Sequence, residues 1–410
     1  MPLTHAPLVI IAPDSFKGSL TASEAAAALE RGAREILPED ATVLTFPMAD
    51  GGEGSLDTIL AAWSQPTLSM VTDDAIGRQR DANYGFDFDG RRAVIEAAQA
   101  NGLPHVNDVP LQPLRADSYG VGLIAAHVIA SGARDITLFL GGSASTEGGS
   151  GLLRALGARF LDADGNELAP GGGALTELTT IDLSGLIAGA LETKWHIAVD
   201  VTNPLTGTRG AAHVFAPQKG AAESDVAVLD AGLTRLAEVL AEHPLVADRR
   251  FSAAGIAALP GMGAAGGMAA PLVALFSAEL VRGAQLVADT TGLSAVIANA
   301  DVIISGEGKL DAQSLDGKVV DYLRSAKSPA SFLVVVAAII DLTPAQSSAA
   351  GINAALPLGS GVENRKELFQ YAEHLLEARG AHAIAEWIDP TDLKEEFRDD
   401  DSDDTSVDSN

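Results

Sequence analysis

The chain has no cysteine. Disulfides, thiolate metal sites and cysteine nucleophiles are therefore excluded. Its eight histidines are scattered and no two stand four residues apart, so a His-based zinc site is not expected. No apolar run is long enough to span a bilayer, and the first residues lack a basic region followed by a long apolar stretch. The expectation is a cytoplasmic protein with no membrane partner. Basic residues are scarce too: 27 Lys and Arg stand against 55 Asp and Glu, a net charge of −28. Nucleic acids and anionic membranes require a basic footprint, so neither is an expected partner. The sequence contains no G-x-x-x-x-G-K-[ST] and no G-x-S-x-G, which speaks against a P-loop protein and a serine hydrolase.

What is present is glycine and small apolar residues. Of 410 residues, 47% are apolar, only 5% are aromatic and 42 are glycine, the mix of an α/β protein with many tight turns. The length allows two domains. From Asp389 to Asn410, ten acids stand against Lys394 and Arg398. This stretch, 389–410, reads as a self-repelling, disordered acidic tail.

Apolar runs followed by acid- and glycine-rich loops recur along the chain. Leu8–Ile11 reads as a buried parallel strand leading into Ala12-Pro-Asp14-Ser-Phe-Lys17-Gly18. A helix follows from Thr21 to Leu37, with Thr21 and Glu24 at capping-box spacing. A second strand, Ala41 to Phe46, ends in Met48-Ala-Asp50-Gly-Gly-Glu53-Gly54. Near Pro66 the pattern changes. Runs at Thr67–Thr72, Arg80–Phe88 and Arg91–Glu96 alternate polar and apolar, with Asp89-Gly90 as a hairpin signal, which predicts an antiparallel meander. Ser118–Ser131 reads as a helix. Asp135–Leu140 reads as a strand leading into Gly141-Gly-Ser-Ala-Ser-Thr-Glu-Gly-Gly149, a loop whose N–H groups and hydroxyls suit a phosphate.

Trp195–Val199 is a further strand, ending in Asp200-Val-Thr-Asn203-Pro-Leu205. Lys219 stands in Pro217-Gln-Lys-Gly220 as a loop cation. Gly261 to Gly266 spells G-x-G-x-x-G, but no strand precedes it, so a dinucleotide fold is discounted and a glycine-rich entry to a helix Ala269–Leu280 is expected. Asp301–Ile304 reads as a strand end that breaks at once into a turn carrying Glu307, Lys309 and Asp311. Ligands of open α/β sheets bind past the carboxyl ends of strands, and carboxylates there suit Mg²⁺. Phe332–Ile340 and Ile352–Leu356 read as strands. A closing helix, Val362–Trp387, carries Leu368, Tyr371, Ala372 and Leu375 as a core stripe.

Taken in order, these motifs resemble the type I glycerate kinases. The resemblance rests on Ala12 to Gly18, Pro47 to Gly54, Gly141 to Ala144, Asp200 to Leu205, Pro217 to Gly220, Gly263 to Gly267 and Ser305 to Gly308, and it spans Leu8 to Arg379. It implies a mostly parallel α/β domain formed by both chain ends, residues 1–66 with 290–388, and a second α/β domain, residues 67–289, inserted in the middle. It also implies ATP-dependent phosphorylation of D-glycerate with Mg²⁺ in a cleft between them. The product would be 2-phosphoglycerate, with 3-phosphoglycerate as the alternative. A homo-oligomer is compatible with this reading.

For such a reaction Asp200 is the candidate base, with Lys17 and Asp50 as further catalytic residues. Asp14, Asn203, Lys219 and Ser118 are the candidate substrate contacts. Gly141, Gly142, Ser143, Gly263, Gly266 and Gly267 are the candidate nucleotide contacts, and Glu307 and Asp50 the candidate metal ligands. Two departures stand out: Ser145-Thr146-Glu147 replaces the usual Thr-Asn-Asp, and Ala337-Ala338 stands where the family has a glycine. They leave open a kinase of another small hydroxy acid. A nucleotide-dependent oxidoreductase using Gly261 to Gly266 is the rival of a different class.

Overall fold

The computed structural model describes residues 6–52, 54–247, 251–359 and 364–389. Glu53, the tail from residue 390 on and the start of the expected closing helix at Val362 lie outside them. In chain order the first strands are β1 Leu8–Ile11, β2 Thr42–Thr45, β3 Leu68–Asp73, β4 Gln79–Asp87, β5 Arg92–Glu96 and β6 Asp135–Phe139. They are followed by β7 Arg159–Leu161, β8 Thr180–Asp182, β9 Lys194–Ala198, β10 Glu279–Val281, β11 Val302–Leu310, β12 Phe332–Ile340 and β13 Ala354–Pro357. The chain divides into two compact units, Met1–Met48 with Gly292–Asn410, and Ala49–Thr291. The division falls at Met48 rather than at Pro66, because the helix Ser55–Trp63 packs on β4, β5 and the helix Gly283–Thr291.

The first unit is an all-parallel sheet in the order β13-β12-β11-β1-β2. Val9 to Ile11 and Leu333 to Ala337 are fully buried, as expected of a sheet covered on both faces. From β1 the chain moves to β2 on one side; from β11 it moves to β12 and β13 on the other. The order therefore reverses between β1 and β11, the switch point at which such sheets bind ligands. The helix Ala22–Ile36 begins at the expected capping box: Glu24 N donates to Thr21 Oγ1 at 3.2 Å and Thr21 N to Glu24 Oε2 at 2.9 Å. It packs backbone to backbone on the helix Ala372–Ile388, where a Cβ on Gly32 or Gly380 would collide with the Glu377 or Leu29 carbonyl.

Two expectations change in this unit. The strand does not end at Ile304. β11 runs on to Leu310, so Glu307 and Lys309 lie in a strand and not in a turn. The apolar β12 continues alongside, pairing Glu307 with Ala337 and Leu310 with Ile340, and this ladder outweighs the glycines. β1 pairs only as far as Ile304, so the added length is bare of β1. The closing helix is two helices, Arg365–Gln370 and Ala372–Ile388, parted at Tyr371. The buried stripe is Ala372, Leu376, Gly380, Ala383 and Ile384, whereas Tyr371 is 51% exposed.

The second unit holds the sheet β10-β9-β6-β5-β4-β3. β10, β9, β6 and β5 are parallel, and the expected meander adds β4 and β3 antiparallel at one edge. β7 and β8 form a separate antiparallel ribbon. The expected helix from Ala269 stops at Phe276, because Ser277 turns left-handed (φ 58°) and the chain enters β10. Among the described residues no helix is long and apolar enough to cross a membrane.

Candidate active site

At the carboxyl edge of the first sheet, β1 gives way to the Asp14 loop, which is tied to β11. Asp14 N donates to Gly306 O at 2.8 Å and Ser305 Oγ to Ala12 O at 2.9 Å. Gly306 is closely packed: a Cβ there would meet the Phe16 ring at 3.0 Å. Glu307 is only 9% exposed, and its Oε1 has no hydrogen-bond partner. Burial pushes its carboxyl up to about 7; the charges of Asp14 and Asp311 push the same way, against the Ser314 hydroxyl and Lys318. A buried carboxylate oxygen left without a donor beside a sheet edge makes Glu307 a candidate ligand-binding group. Asp14 lies near enough for its charge to act on Glu307, a donor set that fits a hard cation completed by water or phosphate oxygens. Among the described residues no group of three or more His, Asp or Glu is arranged to hold a metal by itself. Lys17 is exposed in the same loop. Lys309 is engaged at the surface with Asp311 (3.1 Å) and Asp341 (2.7 Å), pairs that contribute little.

At the carboxyl edge of the second sheet, the loops after β6, β9 and β10 meet the Asp50 loop. Asp200 Oδ1 accepts from Gly283 N at 2.9 Å. Its Oδ2 lies where no side chain fits, 2.6 Å from a Cβ on Gly51 and 2.8 Å from one on Gly283. The Asp50 carbonyl would stand 2.5 Å from that same Gly283 Cβ. Gly141 packs on Gly52 just as closely, 2.9 Å from its Cβ position to Gly52 Cα. Asp50 Oδ1 accepts from Gly52 N at 3.1 Å and so shapes its own turn. Asp50, Asp200, Gly141 and Gly142 are thus brought together. Gly283 and the exposed Arg282 belong to this edge and were missed by sequence reasoning. The signal was a glycine after a strand, hidden because β10 reads as the end of a helix.

Most other expected contacts turn out to be interior, Asn203 being part-exposed. Ser118 is fully buried, donating to Glu147 Oε1 at 2.8 Å and accepting from Leu152 N at 2.9 Å, so its hydroxyl is engaged inside the fold. Lys219 is 3% exposed and donates to Ser143 Oγ at 3.1 Å and Ser145 O at 2.6 Å. Burial lowers its ammonium to about 7, while the Glu147 charge pulls the other way. Ser143 faces Lys219. Asn203 Nδ2 donates to Arg209 O at 2.8 Å and closes its own loop. Gly263, Gly266 and Gly267 are buried too. The Gly263 N–H is spent on Asn203 O at 3.0 Å, and a Cβ on Gly266 would strike Ser145 O. These glycines let two loops pack backbone on backbone and form no phosphate cradle. The helix Ala253–Ala258 precedes them, so the strand that a dinucleotide site needs is absent from that position.

A family model described as the glycerate kinase family matches residues 9–389. The chain belongs to the glycerate kinase family. It is 42% identical to the glycerate 2-kinase of Escherichia coli (strain K12) over 76% of this chain and 79% of that one. It is 38% identical to the glycerate kinase of Bacillus subtilis (strain 168) over 92% of this chain and 96% of that one. The crystal structure of a protein provisionally named glycerate kinase 2, from Salmonella typhimurium LT2, superposes with a TM-score of 0.79 at 36% identity, covering 93% of this chain and 98% of that one. The α/β architecture with parallel sheets is therefore that of the family.

Proposed function

We propose that this protein transfers the γ-phosphoryl group of ATP to the 2-hydroxyl of D-glycerate with Mg²⁺, giving 2-phosphoglycerate. The observation that carries the reading is the family match over residues 9–389. The choice of the 2-position is supported by the relative named glycerate 2-kinase. Phosphoryl transfer asks mainly for positioning and charge neutralisation, which is the work of acids, cations and free N–H groups at strand ends.

Each unit is assigned its own task. In the second, Asp200 takes the hydroxyl proton, held to one orientation by the Gly283 N–H. A carboxylate is an adequate base because the transition state is loose and the proton can leave late. Asp50 is the second catalytic acid beside it, and the exposed Gly141 and Gly142 offer backbone to phosphate. In the first unit Glu307, with Asp14 near it, would hold Mg²⁺, and the exposed Lys17 would meet phosphate or the substrate carboxylate. When bound, the ion would neutralise charge developing on the transferred group. The Ser145-Thr146-Glu147 departure does not favour another hydroxy acid, because all three side chains are buried.

The test is to incubate the protein with ATP, Mg²⁺ and D-glycerate and identify the phosphorylated product. ADP release with formation of 2-phosphoglycerate is expected. No ADP release above the glycerate-free control would remove the reading, and 3-phosphoglycerate would correct its regiochemistry.

A further inference from the structure

Lys219 ends a short turn, Pro217–Lys219, closed by the left-handed Gly220 (φ 91°). Its side chain runs beneath the loop that follows β6. Two of its three protons are given to that loop, one to the Ser143 hydroxyl and one to the Ser145 carbonyl. The same segment is held by Asn101, whose Nδ2 donates to Ser145 Oγ at 2.7 Å and whose Oδ1 accepts from Ala144 N at 3.2 Å. Upstream, Gly141 packs on Gly51–Gly52, and Gly51 packs on Asp200 Oδ2. A continuous set of contacts thus leads from the buried ammonium to the candidate base. Burying an ammonium is costly unless it is paired and hydrogen-bonded, and an apolar residue of similar size could fill the same space more cheaply. The Glu147 charge offsets part of that cost.

We propose that Lys219 is a positioning residue: its ammonium braces the Ser143–Ser145 backbone, and through it the Gly141–Gly142 turn and the Asp50–Gly52 loop beside Asp200, without touching substrate or phosphate. The kinetic part of this proposal rests on the kinase reading above; the bracing does not. Phosphate-binding lysines need a proton and a path to solvent, and Lys219 has given two protons to the loop and is sealed beneath it.

The test uses the full chain with Lys219→Met, Ser143→Ala and the double variant. Hydrogen–deuterium exchange of residues 141–149 is measured without ligands, and kcat and KM for ATP and glycerate are measured separately. Lys219→Met should speed exchange across this loop and lower kcat roughly 100-fold, with each KM changed less than about 3-fold. Ser143→Ala should do the same more weakly, roughly 10-fold in kcat, and the double variant should be no worse than Lys219→Met, because Lys219→Met already removes the one bond to Lys219 that Ser143→Ala removes. Unchanged exchange in Lys219→Met would overturn the bracing. A raised KM with kcat retained, or additive losses in the double variant, would instead make Lys219 a ligand contact. If Lys219→Met does not fold, Ser143→Ala decides: wild-type exchange in that variant overturns the proposal. If the wild-type protein leaves glycerate untouched, the kinase reading fails and the exchange data alone judge the bracing.

Discussion

Two glutamates, one in each unit, are both buried, Glu147 at 0% and Glu307 at 9% exposure, and differ sharply in their surroundings. Glu147 accepts from Ser118 Oγ (2.8 Å), Ser150 Oγ (2.5 Å), Gly151 N (2.7 Å) and Gly149 N (3.2 Å). It ties the heads of the helices Tyr119–Ala130 and Ser150–Ala155 together, and both of its carboxylate oxygens accept hydrogen bonds. Glu307 has one oxygen with no donor at all, and burial pushes its carboxyl up to about 7. A buried carboxylate that is fully hydrogen-bonded belongs to the fold. One left unsatisfied at a sheet's switch point carries a cost that a ligand can relieve. The same contrast separates Lys17, exposed at a strand end, from Lys219, sealed beneath a loop.

The largest effect expected from testing this contrast is at Asp200. Asp200→Asn should lower kcat roughly 10²–10⁴-fold with ATP affinity preserved, measured by steady-state kinetics and nucleotide titration. Turnover near the wild-type rate would remove Asp200 as the base. Gly283→Ala comes next. Its methyl would press on the Asp50 carbonyl and Asp200 Oδ2, and kcat should fall roughly 10–100-fold.

Ser118→Ala probes the interior side. It strips a donor from Glu147 and an acceptor from Leu152 N, so denaturant unfolding should show a loss of about 2 kcal/mol with KM for glycerate unchanged. A raised KM at full stability would return Ser118 to the substrate site. The smallest effect is at Glu307 in the metal-free protein. Its folded pKa is raised from 4.5 to about 7, so the folded form holds a proton that the unfolded form has lost between those values. That contribution is fully present below 4.5 and is lost as pH rises through about 7. Glu307→Gln should therefore gain about 1–2 kcal/mol at pH 8 and nothing at pH 4, read from unfolding curves in chelator.

Local signals carried much of the fold. The Thr21–Glu24 capping box marked a helix start to the residue, and the apolar runs at β1, β6, β9 and β12 were strands. Alternation and Asp89-Gly90 gave the meander. What failed was decided far away in the chain. The glycines from Ser305 to Gly308 read as a turn until β12 supplied a ladder beside them. Lys219 looked like a loop cation because its partners lie 74 and 76 residues away. Gly261 to Gly266 matched a dinucleotide motif by letter, while the absent side chains of Gly266 and Gly267 make room for Ser145 to Gly148 and that of Gly263 for Pro204. Residue types after the apolar runs pointed to Asp50 and Asp200 as candidates in one unit and to Asp14 and Glu307 in the other. Which polar residues face a ligand and which face the core depends on burial, and no local pattern encodes that.

The most direct test of this difference is the rise in melting temperature produced by ATP with Mg²⁺, compared with ATP in chelator, for wild type, Glu307→Gln and Glu147→Gln. A ligand that binds only the folded protein raises its stability by an amount that grows with the logarithm of its concentration over Kd. The account predicts that the Mg²⁺-dependent rise persists in Glu147→Gln and is largely lost in Glu307→Gln. A full rise in Glu307→Gln, or its loss in Glu147→Gln alone, would contradict it.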